Sequence, residues 1–201
     1  MIWMDFTMRA LRKFNTKKFF SLTAILVCFL SVSLYADNSS RVIIKSANGN
    51  FNDDQYLINA NIHYEIGKEI QEALDHGISI QIDIQLHARQ KRDWIWDSTV
   101  ESKTLSFLLE HHPLSGHYQV TNLDNYHRKH FQNLQSAIKH IGSIRNHVLF
   151  NRSELIPERN YLARIRSRLN IQNLPAPLRL QAYFSPEWNL ACSWYEWMIQ
   201  Q

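Results

Sequence analysis

The stretch between Gly77 and Trp96, GISIQIDIQLHARQKRDWIW, constrains the fold more than any other part of the chain. From Ile78 to Arg89, apolar and polar side chains alternate without a break. A β-strand points successive side chains to opposite faces, whereas a helix would spread these apolar side chains around its whole circumference. Isoleucine, which supplies most of the apolar positions, also favours strands. The stretch therefore predicts a strand with one dry face and one wet face, and it places the core of the domain on the dry face.

Further elements are predicted on both sides of this strand from the same two periodicities. Alternation indicates strands over residues 41–46, 55–64, 94–109, 117–123, 144–150 and 161–171. Apolar side chains at helical spacing indicate short helices over residues 66–76 and 134–141, and a glycine follows each of them. Prolines at 175, 177 and 186 exclude one continuous element near the end of the chain. Residues 188–197 fit a strand better than a helix.

Seven to nine strands with two short helices, joined mostly by local turns, favour a mainly β fold. The regular alternation of strand and helix that marks a parallel α/β sheet is missing. We therefore expect an antiparallel β-sandwich of the immunoglobulin-like type. The alternative is a lipocalin-like β-barrel, which would enclose a ligand.

The first 36 residues have the pattern of an export leader. Five basic side chains precede an apolar run over residues 19–35, and Ala36 is followed by the polar residues 37–40. We expect a signal peptide over residues 1–36, cleaved after Ala36, and a single domain over residues 37–201. Leu34 stands where a smaller residue is usual, so an uncleaved membrane anchor is the alternative. Either form is exported to the periplasm, and the uncleaved form stays in the inner membrane.

Charge and cysteine content restrict the possible partners. Outside the leader the chain holds 17 basic and 17 acidic side chains, so the pI near 9.1 reflects the leader. A neutral domain does not favour nucleic acid. Cys192 is the only cysteine beyond the leader, which leaves no partner for an intramolecular disulfide. We interpret Cys192 as a buried thiol that packs as a small apolar side chain.

The motifs of common enzymes are absent from the sequence. No GxSxG motif and no glycine-rich phosphate loop occurs, and Asp93 and Asp97, which flank Trp94 and Trp96, are better explained as residues of a wet face. The tryptophans are predicted to be core, except Trp197, which we expect to be partly exposed. These patterns predict a non-enzymatic protein that needs no cofactor.

Histidines crowd into residues 111–130. Imidazoles from a hairpin could bind zinc or copper, and His111, His112 and His117 are the candidate ligands. The spacing matches no established metal motif, so no metal site is assigned. Solvated loop histidines are the simpler interpretation.

The strongest candidate for a binding surface is a row of arginines. Arg164, Arg166 and Arg168 occupy alternate positions of one predicted strand, so they project from one side about 7 Å apart. Such a row can bind an acidic protein, anionic lipid headgroups or another polyanion. The alternative is an ordinary wet face, in which Asp83 or Glu101 balances the charge across the sheet.

Three segments together resemble a known family. The segments LPAPLRLQAYFSPEWNLACSWYEW, EALDHGISIQIDIQ and RDWIWD resemble exported proteobacterial proteins grouped as domain of unknown function number four-three-nine-zero. The resemblance covers essentially the whole chain after the leader and implies a periplasmic location. Members are often encoded near a membrane sensor kinase of the nitrogen-regulation type, which implies a signalling partner in the envelope.

These observations lead to two hypotheses. The first is a non-enzymatic envelope domain that binds a protein, such as a membrane sensor kinase, through a sheet edge or through Arg164, Arg166 and Arg168. The second is a carrier of a small ligand or metal built on a barrel. In both hypotheses the membrane is contacted only through an uncleaved leader.

Overall fold

The computed structural model describes residues 39–91, 98–157 and 159–200, which belong to one compact unit, Asn38–Gln201. The strands are β1 (Arg41–Asn52), β2 (Gln55–Glu65), β3 (Ile80–Gln90), β4 (Ser98–His112), β5 (His117–Asn122), β6 (Arg128–Phe131), β7 (Ser143–Asn151), β8 (Tyr161–Leu169) and β9 (Tyr195–Ile199). The helices are α1 (Lys68–Asp75), α2 (Leu134–Ile141) and α3 (Ala176–Phe184), with 3₁₀ turns at Arg152–Glu154, Ile171–Asn173 and Pro186–Trp188.

The strands form two antiparallel sheets. The smaller sheet has the order β1-β2-β7, and the larger has the order β6-β5-β4-β3-β8-β9. The mainly β, antiparallel sandwich arrangement predicted from the sequence is confirmed. Immunoglobulin constant domains have one sheet of four strands and one of three, whereas the described sheets of this protein have six and three. The fold therefore shares the two-sheet architecture of those domains but not their strand order. Within the described ranges neither sheet closes on itself, and the barrel alternative is therefore wrong.

Strand β3 lies inside the larger sheet and is hydrogen-bonded on both edges. It pairs with β4 from Ile80↔Leu109 to Gln90↔Ser98, and with β8 from Ile82↔Leu169 to Gln90↔Tyr161. Its dry face is completely buried, with exposed fractions of 0% at Ile80, Ile82, Ile84, Leu86 and Ala88. The intervening polar side chains lie on the outer face of the sheet. The two-faced strand predicted from the alternation is thus confirmed.

Tyrosines of β2 connect the two sheets across the core. The Tyr64 hydroxyl lies 2.9 Å from the Ser167 hydroxyl of β8, and Trp197 Nε1 donates to the Tyr56 hydroxyl at 3.0 Å. Burial raises the pKa of both tyrosines, so both hydroxyls keep their protons at neutral pH. Because buried hydroxyls need partners, these bonds help to set how one sheet lies on the other.

Gly142 ends α2 where two backbones meet. Its carbonyl accepts from the Ile62 amide at 2.8 Å, and a Cβ at this position would lie 2.0 Å from the Ile62 carbonyl oxygen. Only glycine leaves room for that approach. The predicted end of the helix at this residue is confirmed.

Three parts of the secondary structure differ from the prediction. Strand β1 continues to Asn52, because the turn falls at Asp53 and Asp54 and not at residues 47–50. Helix α3 differs from the prediction because its prolines occupy the start of the helix, where a missing amide donor costs nothing, and so do not break it. The last strand begins at Tyr195, because residues 186–188 form a 3₁₀ turn with Trp188 buried. The segment 92–97 of the predicted fourth strand lies outside the described residues.

The helices in the part of the chain that the structure describes are short. None of its helices is long and apolar enough to cross a bilayer.

The dry face of β3 should dominate stability. We expect Ile84→Ala to lower the free energy of unfolding by about 2–5 kcal/mol, because it leaves a cavity in a closed core. Urea unfolding with an unchanged m-value measures this loss. The matched control is Ile43→Ala on β1, where the side chain is 36% exposed and the expected loss is under about 1 kcal/mol. Equal losses at the two positions would contradict the burial described.

Candidate functional site

The three arginines of β8 lie on the outer face of the larger sheet. Arg164, Arg166 and Arg168 alternate with side chains that are buried in the core. Arg168 is exposed, whereas Arg164 and Arg166 are half-buried. Arg164 and Arg166 are partly buried because Trp194 and side chains of β3 pack around them.

Trp194 packs against two of the arginines. The Arg164 guanidinium carbon lies 4.1 Å from the centre of the indole ring and the Arg166 carbon lies 4.3 Å from it. Contacts of this kind are cation–π interactions, worth about 0.5–1 kcal/mol each where solvent has access. Trp194 precedes β9, which pairs with β8, so the sheet itself brings the indole to the arginines.

Strand β3 supports the same arginines from the other side. In register, His87 is opposite Arg164 and Gln85 is opposite Arg166. Arg166 Nε donates to Gln85 Oε1 at 2.7 Å, and Arg164 Nη2 lies 3.2 Å from His87 Nδ1. A guanidinium can only donate, so His87 Nδ1 accepts and its proton is on Nε2. We refer to the following set as the arginine face: Gln85, His87, Arg164, Arg166, Arg168 and Trp194.

The charge at the arginine face is positive. Burial, and then the charges of Arg164, Arg166 and Arg89, lower the pKa of His87, which is the response of an imidazole surrounded by cations. His87 is therefore neutral at pH 7.

Asp83, one of the two carboxylates expected to balance the arginines, accepts hydrogen bonds from other residues. Asp83 is opposite Arg168 in register, but its oxygens accept from Gln81, Ser106 and Asn170 at 2.8–2.9 Å. Glu101 is opposite Ala88, whose side chain points into the core. Glu196, which is half-exposed, lies 3.8 Å from Arg164. Among described residues, no carboxylate lies within ion-pair distance of Arg166 or Arg168.

The three candidate metal ligands do not converge. His111 stacks on Tyr118, with ring centres 4.4 Å apart, and its Nδ1 lies 3.2 Å from Asp75. His112 and His117 pair at the end of the β4–β5 hairpin and are exposed. Within the described ranges no group of three or more His, Cys, Asp or Glu side chains has an arrangement that could hold a metal ion.

Other histidines meet in a cleft between the sheets. His127, His140 and His147 line a space of about 340 Å³ together with Lys129 and Asp124. Burial is the main cause that lowers the pKa of His140 and His147, and the nearby Lys129 and Lys103 add to it. The Nε2 atom of His147 is buried and has no hydrogen-bond partner in the described structure. The imidazoles of His140 and His147 are therefore neutral at pH 7.

Cys192 and the tryptophans are the remaining residues for which the sequence predicts a location. The Cys192 thiol is half-buried, accepts from the Ser167 amide at 3.2 Å and has a pKa raised by burial. Trp188 is buried in the core and Trp197 is partly exposed, as expected. Trp94, Trp96, Asp93 and Asp97 lie outside the described residues.

Sequence reasoning missed half of the arginine face. Trp194 was expected in the core, yet it packs on the outer face between the arginines. His87 and Gln85 were recognised only as wet positions of β3. Their position opposite the arginines follows from the pairing of β3 with β8, strands that are more than 70 residues apart in sequence, and no local pattern contains that information.

The fold and the arginine face define a class of protein: a two-sheet antiparallel β domain with a cationic, aromatic outer surface. The family model of DUF4390, a domain of unknown function, matches residues 39–198. The chain belongs to this family, which confirms the resemblance found in the sequence. Comparisons with curated proteins and with solved structures give no significant match.

Two histidines of the cleft, His140 and His147, predict how stability depends on pH. Their pKa values are lower in the folded chain than the ordinary value of 6.5. The unfolded chain therefore binds more protons as the pH falls through about 6.5, and the free energy of unfolding decreases on acidification. We expect a lower urea midpoint at pH 5.5 than at pH 7.5, with a smaller difference in the variant His140→Gln/His147→Gln.

The control for this measurement is His130→Gln, an exposed position on β6. It should keep the wild-type difference between the two midpoints. A midpoint that stays constant or rises on acidification would contradict the role given to the cleft histidines.

Proposed function

We propose that this protein is an exported, non-enzymatic domain of the cell envelope that binds an acidic segment of a protein partner on its arginine face. The observation that carries the proposal is the pair Arg166 and Arg168, which have no described carboxylate within ion-pair distance. A sheet surface with an uncompensated positive charge favours a partner that brings carboxylates.

The arginines are held in place before a partner arrives. Trp194 packs against two guanidinium groups, and Gln85 fixes Arg166 through its Nε atom. The remaining N–H groups of Arg166 stay available for a bidentate contact with a carboxylate. Since less side-chain freedom is lost on binding, such an arrangement favours affinity.

A free sheet edge adjoins the arginine face. In the described structure β9 pairs with β8 along one edge, and its other edge has no strand partner. Met198, on the outer face of β9, is 50% exposed. An extended acidic segment could pair with this edge while its side chains reach the arginines, a known mode of peptide recognition.

The periplasmic location and the kind of partner are supported by the sequence. The leader pattern of residues 1–36 supports export, and family resemblance supports a membrane sensor kinase as one partner. The competing hypothesis, a carrier built on a barrel, loses its scaffold because neither sheet closes on itself within the described residues.

Charge reversal at the arginine face tests the proposal. The variant Arg164→Glu/Arg166→Glu should reduce recovery of the partner by about tenfold or more, because it replaces two charge-assisted contacts with repulsion. The partner is first captured by crosslinking in the native cell and identified by mass spectrometry. Its recovery by the purified variants is then measured at two salt concentrations.

A matched control separates local from general charge effects. Lys45→Glu/Arg128→Glu changes the net charge equally at exposed positions of β1 and β6 and should leave recovery unchanged. Urea unfolding verifies that both variants fold. Equal recovery by the wild type and the Arg164→Glu/Arg166→Glu variant would remove the arginine face from the proposal.

A further inference from the structure

Helix α3 presents an apolar face to solvent. Leu180, Tyr183 and Phe184 are 68%, 60% and 86% exposed. Their spacing of three and four residues puts them on one side of the helix, whereas Ala182 is buried on the other side. The helix carries no acidic residue, and Arg179 is its one basic residue. A soluble surface seldom exposes large apolar side chains as a contiguous group.

A fourth apolar side chain lies at the same end of the larger sheet. Leu114, at the tip of the β4–β5 hairpin, is fully exposed. The strand register shows that the hairpin tip and α3 lie at the same end of the larger sheet. Leu109 of β4 is opposite Ile80, and Leu169 of β8 is opposite Ile82. The hairpin tip follows the end of β4, and α3 follows β8 after the 3₁₀ turn Ile171–Asn173.

Ser40, just before β1, also lies at this end. The Ser40 hydroxyl donates to the Glu187 carbonyl in the 3₁₀ turn after α3 and accepts from the Gly67 amide at 2.9 Å. Only three residues separate the apolar run 19–35 from Ser39. Fully extended, this connection reaches roughly 14 Å. In the alternative in which the leader is not cleaved and the apolar run stays in the membrane, the beginning of the domain is held close to the bilayer surface.

We propose that this end of the domain docks on the bilayer, with Leu180, Tyr183 and Phe184 of α3 in the lipid interface. Aromatic and leucine side chains on one face of a short helix suit the headgroup region. With the leader uncleaved, the short connection to the apolar run favours lipid over a second copy or a soluble protein. This proposal goes beyond the partner site, because the docking surface consists of α3 and the arginine face consists of residues on β3, β8 and the segment before β9.

Photo-crosslinking in the native membrane tests the docking. The full chain, exported by living bacterial cells, carries p-benzoylphenylalanine in place of Phe184. We expect phospholipid adducts, detected by intact mass, at a level at least tenfold above that of the matched position 156. Ile156 is 58% exposed, and its backbone amide donates to the Tyr161 hydroxyl at 2.9 Å, which places position 156 beside Tyr161. Tyr161 begins β8, roughly 26 Å along the strand from Leu169.

A second variant relates any adduct to the apolar face. Leu180→Ser/Tyr183→Ser, in the chain that carries the crosslinker at 184, should reduce the adducts several-fold. Both side chains are exposed, so the urea midpoint should stay within experimental error. Equal lipid adducts at 184 and 156, no adducts at 184, or adducts at 184 with protein only would each overturn the docking. None of these results changes recovery of the partner through the arginine face. The membrane docking of α3 can therefore be contradicted while partner binding on the arginine face is upheld, and the reverse.

Discussion

The double pairing of β3 is the constraint on which the rest of the structure depends. Its hydrogen bonds to β4 on one edge and to β8 on the other fix the register of three strands. A shift of one residue in either pairing would turn every side chain of the shifted strand to the opposite face. Burial of five apolar side chains of β3 at 0% exposure makes such a shift costly. The core and the outer surface are therefore specified by the same strand.

The arginine face is a direct consequence of that register. His87 and Gln85 meet Arg164 and Arg166 because the wet positions of β3 and β8 coincide. Strand β9 pairs with β8 and brings Trp194 to the same place. The charge is concentrated because Asp83, the nearest buried carboxylate, already accepts three hydrogen bonds from neutral groups. A positive surface thus remains although the domain as a whole is close to neutral.

The sequence predicts local structure well and the assembly of distant parts poorly. The isoleucines of β3, the arginine row of β8 and the glycine at the end of α2 were recognised because periodicity and turn chemistry act over a few residues. Helix α3 was missed because Pro175 and Pro177 act as breakers inside a helix but are tolerated at its start. Trp194 and the cleft formed by His127, His140 and His147 could not be placed, since both depend on the packing of strands that are far apart in sequence.

Cysteine scanning along β3 tests the two-faced strand most directly. Single cysteines replace Ile84, Gln85, Leu86 and His87 in turn, in a chain in which Cys28 and Cys192 are replaced by alanine, and the rate of alkylation is measured in buffer and in urea. Under native conditions Gln85→Cys and His87→Cys should react many times faster than Ile84→Cys and Leu86→Cys, while all four should react alike in urea. Equal native rates at the four positions, or fast reaction at Ile84→Cys and Leu86→Cys in a folded chain, would contradict a core built on this strand.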